Sequence, residues 1–264
     1  MLKRERTQNL TGLQTRFFIA ATRLFSAETW AAINRAVLAL IISLCTLGVA
    51  SQQAAAQAYV QGNSATPSGS TATPVTVTYT AAQTAGHLNV VIVGWANATA
   101  QVSSVTDSRG NVYQLAVGPT VMTGSNQAVS QSIYCAKNIS AGANTVTVTF
   151  TAAAYYPDIR ILEYSGIDAV SPVDVSAANK GNSATSTSGA VVTNNATDLL
   201  VGANTVWTST TGPGSGFTQR LLTQDGDIAE DRVVTAVGSY NASAPLSSAG
   251  AWVMQMVAFR AAGP

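Results

Sequence analysis

The sequence of 264 residues is poor in cysteine, histidine and charge. It contains two cysteines, one histidine and 9% charged residues, whereas 47% of its residues are hydrophobic. So few cysteines cannot supply a disulfide framework, and the fold must rely on its core. The shortage of basic residues argues against a nucleic-acid-binding surface, and the high apolar content argues against a disordered chain.

The amino-terminal 58 residues have the properties of an export signal. Six basic residues stand against two acidic ones in this segment, and the apolar run 36–50 precedes an alanine-rich stretch that ends at Ala58. This order of features is typical of a signal peptide. At 15 residues the run is shorter than the roughly 20 that a membrane-spanning helix needs, although a retained anchor is the alternative. We therefore expect 1–58 to be a signal peptide with a long n-region.

The remaining chain is predicted to be secreted or to lie at a bacterial cell surface. From Tyr59 onward seven basic residues stand against ten acidic ones, so this part of the chain is mildly acidic. It has no basic stripe that would attract phosphate backbones or anionic lipid. Once the signal is removed, Cys135 is the remaining cysteine, and we expect it to be a small core residue.

Residues 59–74 are predicted to be a Ser/Thr/Gly/Pro linker with little to bury, followed by one folded domain over 75–264. In 75–80 and in 145–150, Val, Tyr or Phe alternates with Thr, which predicts strands that have one wet face. By contrast 88–95 and 252–259 are apolar on both faces, as expected of inner strands.

Many short strands separated by turn residues, without an amphipathic helix after Tyr59, predict an all-β fold. The expected architecture is an antiparallel β-sandwich of jelly-roll type. A faint repeat aligns 88–95 with 200–207, since both segments end in tryptophan. It suggests two similar halves, but chance similarity between period-two sequences is the alternative.

Three segments resemble units of large secreted bacterial surface proteins. They are 163–174 (EYSGIDAVSPVD), 106–113 (TDSRGNVY) and 85–91 (AGHLNVV). This uncharacterised family of β-sandwich units often lies beside immunoglobulin-like modules. The resemblance implies an extracellular sandwich and supplies no catalytic residues.

Glu163 is the acidic residue that the strand pattern places toward the core. Period-two counting puts it on the same face as Ile159 and Ile161, so we expect a partly buried structural acid. A buried carboxylate needs a charged or hydrogen-bonding partner, and Arg232 and Arg260 are the expected ones. His87, at the start of a strand, is expected to be a surface histidine and not a catalytic base.

The densest acidic stretch contains Asp225, Asp227 and Glu230, which are the candidate ligands for Ca²⁺. Their spacing matches no defined calcium loop, and a solvated hairpin tip is the alternative. No other cofactor is expected. Paired carboxylates for a secreted hydrolase would have to come from Asp158 with Glu163, or from Glu230 with Asp231, which point to opposite faces of a strand.

The expected function is a non-catalytic binding or adhesion module, with glycans or other surface proteins as partners. Trp95 and Trp207 are the candidate ligand-binding residues, because indoles at strand ends can stack on sugars. Burial in the core is the competing interpretation of both tryptophans. A structural envelope or assembly subunit is the alternative function, and a secreted hydrolase is a weaker one.

Overall fold

The computed structural model describes residues 56–71, 74–124 and 127–263, together with residue 35. The chain divides into two compact units, Met1–Gln52 and Gln53–Pro264. The expected signal peptide lies outside the described residues, apart from 56–58 and the helical, exposed residue 35. Within the described ranges, no helix is long and apolar enough to cross a bilayer.

The described residues of the second unit form seventeen strands, and every strand pairing is antiparallel. In chain order the strands are β1 (Ala58–Ala65), β2 (Ser70–Thr71), β3 (Val75–Thr78), β4 (Leu88–Trp95), β5 (Val102–Asp107), β6 (Gln114–Met122), β7 (Val129–Ala136), β8 (Thr145–Phe150), β9 (Ala154–Tyr155), β10 (Asp158–Ser165), β11 (Val173–Thr187), β12 (Val191–Val192), β13 (Asp198–Val206), β14 (Thr218–Leu222), β15 (Ile228–Val234), β16 (Ser239–Tyr240) and β17 (Ser243–Arg260).

Two five-stranded sheets form the body of this unit. Sheet A has the order β1-β10-β4-β7-β6, and sheet B has the order β11-β17-β13-β15-β14. The sheets pack face to face, with β1 against β14 along one side and β6 against β11 along the other. The predicted all-β, antiparallel sandwich is therefore confirmed.

The central core lies between the two sheets. Leu88 and Val90 of β4 pack there with Leu199 and Val201 of β13. Val91, the residue after Val90, points outward, where β3, β5 and β8 form a third layer over sheet A. Both faces of β4 are buried, and its sequence is therefore mostly apolar on both faces.

The five strands of each large sheet can be numbered in the order in which they follow along the chain. With that numbering, both sheets have the strand order first, fifth, second, fourth, third. Tyr164 pairs with Leu88, and Phe259 pairs with Leu199. All four side chains face the central core. The sequence alignment above matched Leu88 with Leu200, which faces outward. It is displaced by one residue, and such a slip exchanges the two faces of a strand.

The expectation that the domain begins at Val75 is wrong. β1 forms an edge of sheet A and pairs with β10 along its length. The Tyr59 ring packs edge to face on Tyr164, with 5.8 Å between the ring centroids, and Gln61 is buried. Partners more than a hundred residues away thus order a segment whose composition resembles that of a linker.

Candidate functional site

One candidate binding site is a cleft of about 680 Å³, here called the end cleft. It lies at the end of the sandwich where β4 and β13 begin, and residues of 110–116, 135–140 and 170–173 line it together with Arg260. Val112, Leu115 and Val170 expose aliphatic surface around it. A cleft of this volume is large enough for a small ligand.

Two cations hold the wall of the end cleft that contains 168–173. The Lys137 ammonium donates to the Val170 carbonyl. The Arg260 guanidinium donates to the Ser171 carbonyl, with Nη1–O 2.9 Å, and forms an ion pair with Asp174 at 3.3 Å. These contacts tie the loop to β7 and β17, so the wall is positioned by strands of both sheets.

A second wall of the end cleft is a turn organised by Asp107. Its carboxylate accepts hydrogen bonds from Asn144, Asn111 and Tyr113. Partial burial raises the pKa of Asp107, but these hydrogen bonds outweigh that effect and lower the pKa below its usual value. The Asn111 side-chain oxygen also accepts from the Ser140 amide at 2.9 Å. The turn is thereby joined to the segment after β7.

Cys135 lies at the buried floor of the end cleft. Burial raises the pKa of its thiol to about 11, although the nearby Lys137 charge opposes the shift. The thiol is therefore protonated near neutral pH, which makes it a poor nucleophile. The prediction that Cys135 is a small core residue is confirmed.

Glu163 is fully buried, as its strand position predicts, but its partners are not the predicted arginines. His87 Nδ1 lies 2.7 Å from Glu163 Oε1, and Gln61 Nε2 donates to Oε2 at 2.6 Å. Arg260 pairs with Asp174 instead, and Arg232 lies over the Tyr240 ring. The composition of β1 predicts a linker, which gives no reason to expect Gln61 as a partner of Glu163.

Trp95 is buried and is therefore not available to stack on a ligand. It is 1% exposed and packs edge to face on Phe150, with 5.6 Å between the ring centroids. Trp207 is 45% exposed, just beyond the end of β13. The two predicted ligand-binding residues therefore differ in accessibility, because the ring of Trp95 fills the layer between β8 and sheet A.

The predicted calcium ligands do not converge. Asp227 Oδ1 accepts from the Val206 amide at 2.8 Å, whereas Glu230 Oε2 accepts from the Gly214 amide at 2.7 Å. Burial raises the pKa of Glu230 to about 7 and also raises the pKa of Asp225. In the described ranges, no three Asp, Glu, His or Cys side chains are grouped to hold a metal ion. Calcium binding therefore stays a prediction, and Asp225, Asp227 and Glu230 do not form a site for the ion.

The candidate carboxylate pairs for hydrolysis are also separated. Asp158 begins β10, and Glu163 lies five positions later, which in a strand is on the opposite face and roughly 16 Å away. Glu230 contacts the Gly214 amide, whereas Asp231 accepts from Arg220 Nε at 2.8 Å. Neither pair could straddle one glycosidic bond.

A charged network that was not predicted from the sequence lies between the sheets. Arg160 is fully buried, and its Nε lies 2.8 Å from Asp158 Oδ1. Its guanidinium also donates to the Asn204 and Ile228 carbonyls of sheet B. A buried arginine with this many acceptors joins the two sheets. Its spacing from Asp158, two residues along one strand, was the available signal.

Comparison of the chain with protein-family models, curated proteins and solved structures finds no match. The sequence did contain a signal for the end cleft. Residues 110–112 and 170–173 come from two of the three segments for which a resemblance was noted above. The third segment approaches the same place, because the His87 carbonyl accepts from the Ile139 amide between two lining residues.

Proposed function

We propose that this protein is an exported, non-catalytic binding module that holds a saccharide in the end cleft. The observation that carries the proposal is that two separate segments, 106–113 and 163–174, line one cleft of about 680 Å³, while 85–91 is hydrogen-bonded to Ile139 beside it. Loops positioned by a rigid sandwich are common places for binding residues. Export to the cell surface or medium is inferred from the amino-terminal signal pattern.

The lining of the end cleft suits a saccharide. The amide side chains of Gln114 and Asn138 lie beside aliphatic surface from Val112 and Leu115. A sugar ring presents hydroxyl groups that amides can bind and C–H faces that pack on aliphatic groups. Lys137 and Arg260 would also accommodate a carboxylate or sulfate substituent.

Blocking the end cleft tests the proposal. Gln114 is exposed at the start of β6, and an indole in its place would occupy the cleft. Gln219 is the matched control, since it is exposed on β14, which holds the same place in the order of the other sheet. The full chain, Gln114→Trp and Gln219→Trp would be compared on a glycan array that includes neutral and acidic oligosaccharides.

We expect binding by the original chain and by Gln219→Trp, and little binding by Gln114→Trp. Equal binding by all three proteins would remove the end cleft as the site. Absence of binding to every glycan by the original chain would overturn the saccharide proposal itself.

A second function, an assembly subunit built from two similar halves, is favoured by one feature. β11 is a fifteen-residue edge strand of sheet B whose residues are mostly small and polar. An unpaired edge can accept a strand from another copy. Light scattering at increasing protein concentration distinguishes the two functions, since a constant monomer mass would exclude self-assembly.

A further inference from the structure

A second group of candidate binding residues lies at the opposite end of the sandwich. Tyr155 and Tyr156 are separated from β10 by Pro157 alone, and the first residue of β10 pairs with Gly94 near the end of β4. Gly94 lies against Thr205 near the end of β13, and Trp207 follows that strand. The three aromatic residues therefore share one end, here called the aromatic end. β4 has eight residues, which places it roughly 25 Å from the end cleft.

The aromatic end exposes its rings. Tyr155 is 51% exposed, Tyr156 is 52% and Trp207 is 45%. In the part of the chain that the structure describes, other rings, such as Tyr164 and Trp95, are buried in the cores. Exposed aromatic rings at a rim are typical of surfaces that bind a flat apolar face.

The backbone holds Tyr156 in an unfavourable conformation. Its φ of +43° lies in the left-handed region, which non-glycine residues rarely adopt, and Pro157 follows it. Two hydrogen bonds of 2.7 Å maintain the turn, from the Tyr156 amide to the Gly69 carbonyl and from the Ala96 amide to the Tyr155 carbonyl. Glycine would adopt this φ without strain. The backbone conformation therefore does not favour tyrosine at this position, and the aromatic ring is what tyrosine provides and glycine lacks.

The segments around these rings contain no charged residue, although Asp225 lies in the turn that contacts Ser209 and Thr210. Residues 95–102, 151–157, 207–211 and 247–250 contain no Lys, Arg, Asp or Glu, but they are rich in Ser, Thr and Asn. Thr208 follows Trp207 and donates to the Ser248 carbonyl, and the Ser247 hydroxyl accepts from the Ser209 amide. Because these segments hold no basic side chain, the rings and the nearby hydroxyl groups match an uncharged sugar better than an anionic ligand.

We propose that Tyr155, Tyr156 and Trp207 form a second binding site that stacks on pyranose rings of a neutral glycan. This site is separate from the end cleft and does not depend on it. The protein would then engage saccharides at both ends of the sandwich, and the aromatic end would contribute no acid, base or nucleophile.

Affinity electrophoresis in native gels containing hydroxyethylcellulose, galactomannan or glycogen tests this site with the full chain. We expect at least one polysaccharide to retard the original chain. Tyr155→Phe and Tyr156→Phe should be retarded equally, because the rings remain. Tyr155→Ala, Tyr156→Gly and Trp207→Ala should each weaken binding by up to about tenfold.

Two variants distinguish binding from folding and from the other site. Tyr156→Gly removes the backbone strain, so it should melt no lower than the original chain while it loses retardation. Gln114→Trp blocks the end cleft and should be retarded like the original chain. The proposal is overturned if none of the three polysaccharides retards the original chain, or if Tyr156→Gly is retarded as strongly as Tyr156→Phe.

Discussion

Gly94 of β4 and Thr205 of β13 face each other between the two sheets with no space for a side chain on the glycine. A β-carbon on Gly94 would overlap Thr205 Oγ1 and would lie 3.3 Å from Arg160 Nη2. The glycine therefore gives the Arg160 guanidinium room to reach acceptors on sheet B. The close packing of β4 on β13 and the buried ion pair of Arg160 both depend on the absence of a side chain at Gly94.

Gly94→Ala should destabilise the protein by about 1–3 kcal/mol, because the new methyl group must displace Thr205 or Arg160. The control is Gly212→Ala, since no heavy atom lies within 4 Å of a β-carbon at that position. Urea unfolding followed by tryptophan fluorescence measures both free energies of unfolding. Equal midpoints for the two variants would contradict the tight contact.

Glu163→Gln should lower the free energy of unfolding by about 1–3 kcal/mol. The carboxylate accepts from Gln61 at one oxygen and from His87 and the Thr84 amide at the other. A glutamine amide has one oxygen, so at least one of these donors must face an NH₂ group. His87→Gln keeps a donor at a partly exposed position and should cost less. Thermal unfolding monitored by circular dichroism compares the two, and an unchanged Glu163→Gln melting temperature would refute this account.

Asp198 should make stability depend on pH. Burial and the neighbouring Asp174 carboxylate raise the pKa of Asp198 to about 7, whereas the unfolded chain releases this proton near pH 4. The folded state binds the extra proton between these values, so ionisation of Asp198 lowers stability as the pH rises from about 4 to about 7. Asp198→Asn cannot ionise, and its melting temperature relative to the original chain should increase across this window.

Asp168→Asn is the control for that experiment because its pKa shift has the opposite sign. Hydrogen bonds from the Val170 and Ser171 amides lower the pKa of Asp168. Its ionised form therefore stabilises the folded state above about pH 4, and the benefit is lost as the pH falls through its folded pKa. Asp168→Asn should melt lower than the original chain at pH 7. A parallel pH dependence of both variants would show that Asp198 is not the titrating group.

Cys135 should react slowly with a thiol reagent in the folded protein. Its thiol is buried, and burial raises its pKa to about 11. A full chain carrying Cys45→Ser isolates the reaction of Cys135 with dithionitrobenzoate at pH 8. We expect little reaction in buffer and complete reaction in guanidinium chloride. Rapid reaction without denaturant would mean that the floor of the end cleft is open to solvent.

The inner strands were predictable because their signal is local. Alternation of Val with Thr located β3 and β8, and the doubly apolar segments located β4 and the second part of β17. The burial of Glu163 followed from the same period of two. In each case the strand geometry alone decides which side chains share a face.

The site was less predictable because its residues are distant in the sequence. Nothing local in the sequence shows that Asn111 and Arg260 line the same cleft. The partner of Glu163 was assigned by charge, and the fold supplied His87 and Gln61 instead. A carboxylate needs a donor, but the chain path decides which donor is near.

By itself, the sequence determined the β class of this protein and the faces of its inner strands, because those properties arise from neighbours along the backbone. Only the tertiary structure decided that β1 belongs to sheet A, that Trp95 is buried while Trp207 is exposed, and where the end cleft forms. These outcomes depend on which strands pair and in which register. A shift of one residue in the register, such as that between Leu199 and Leu200, changes which side chains face the core. The alternation of residues along the strand stays the same.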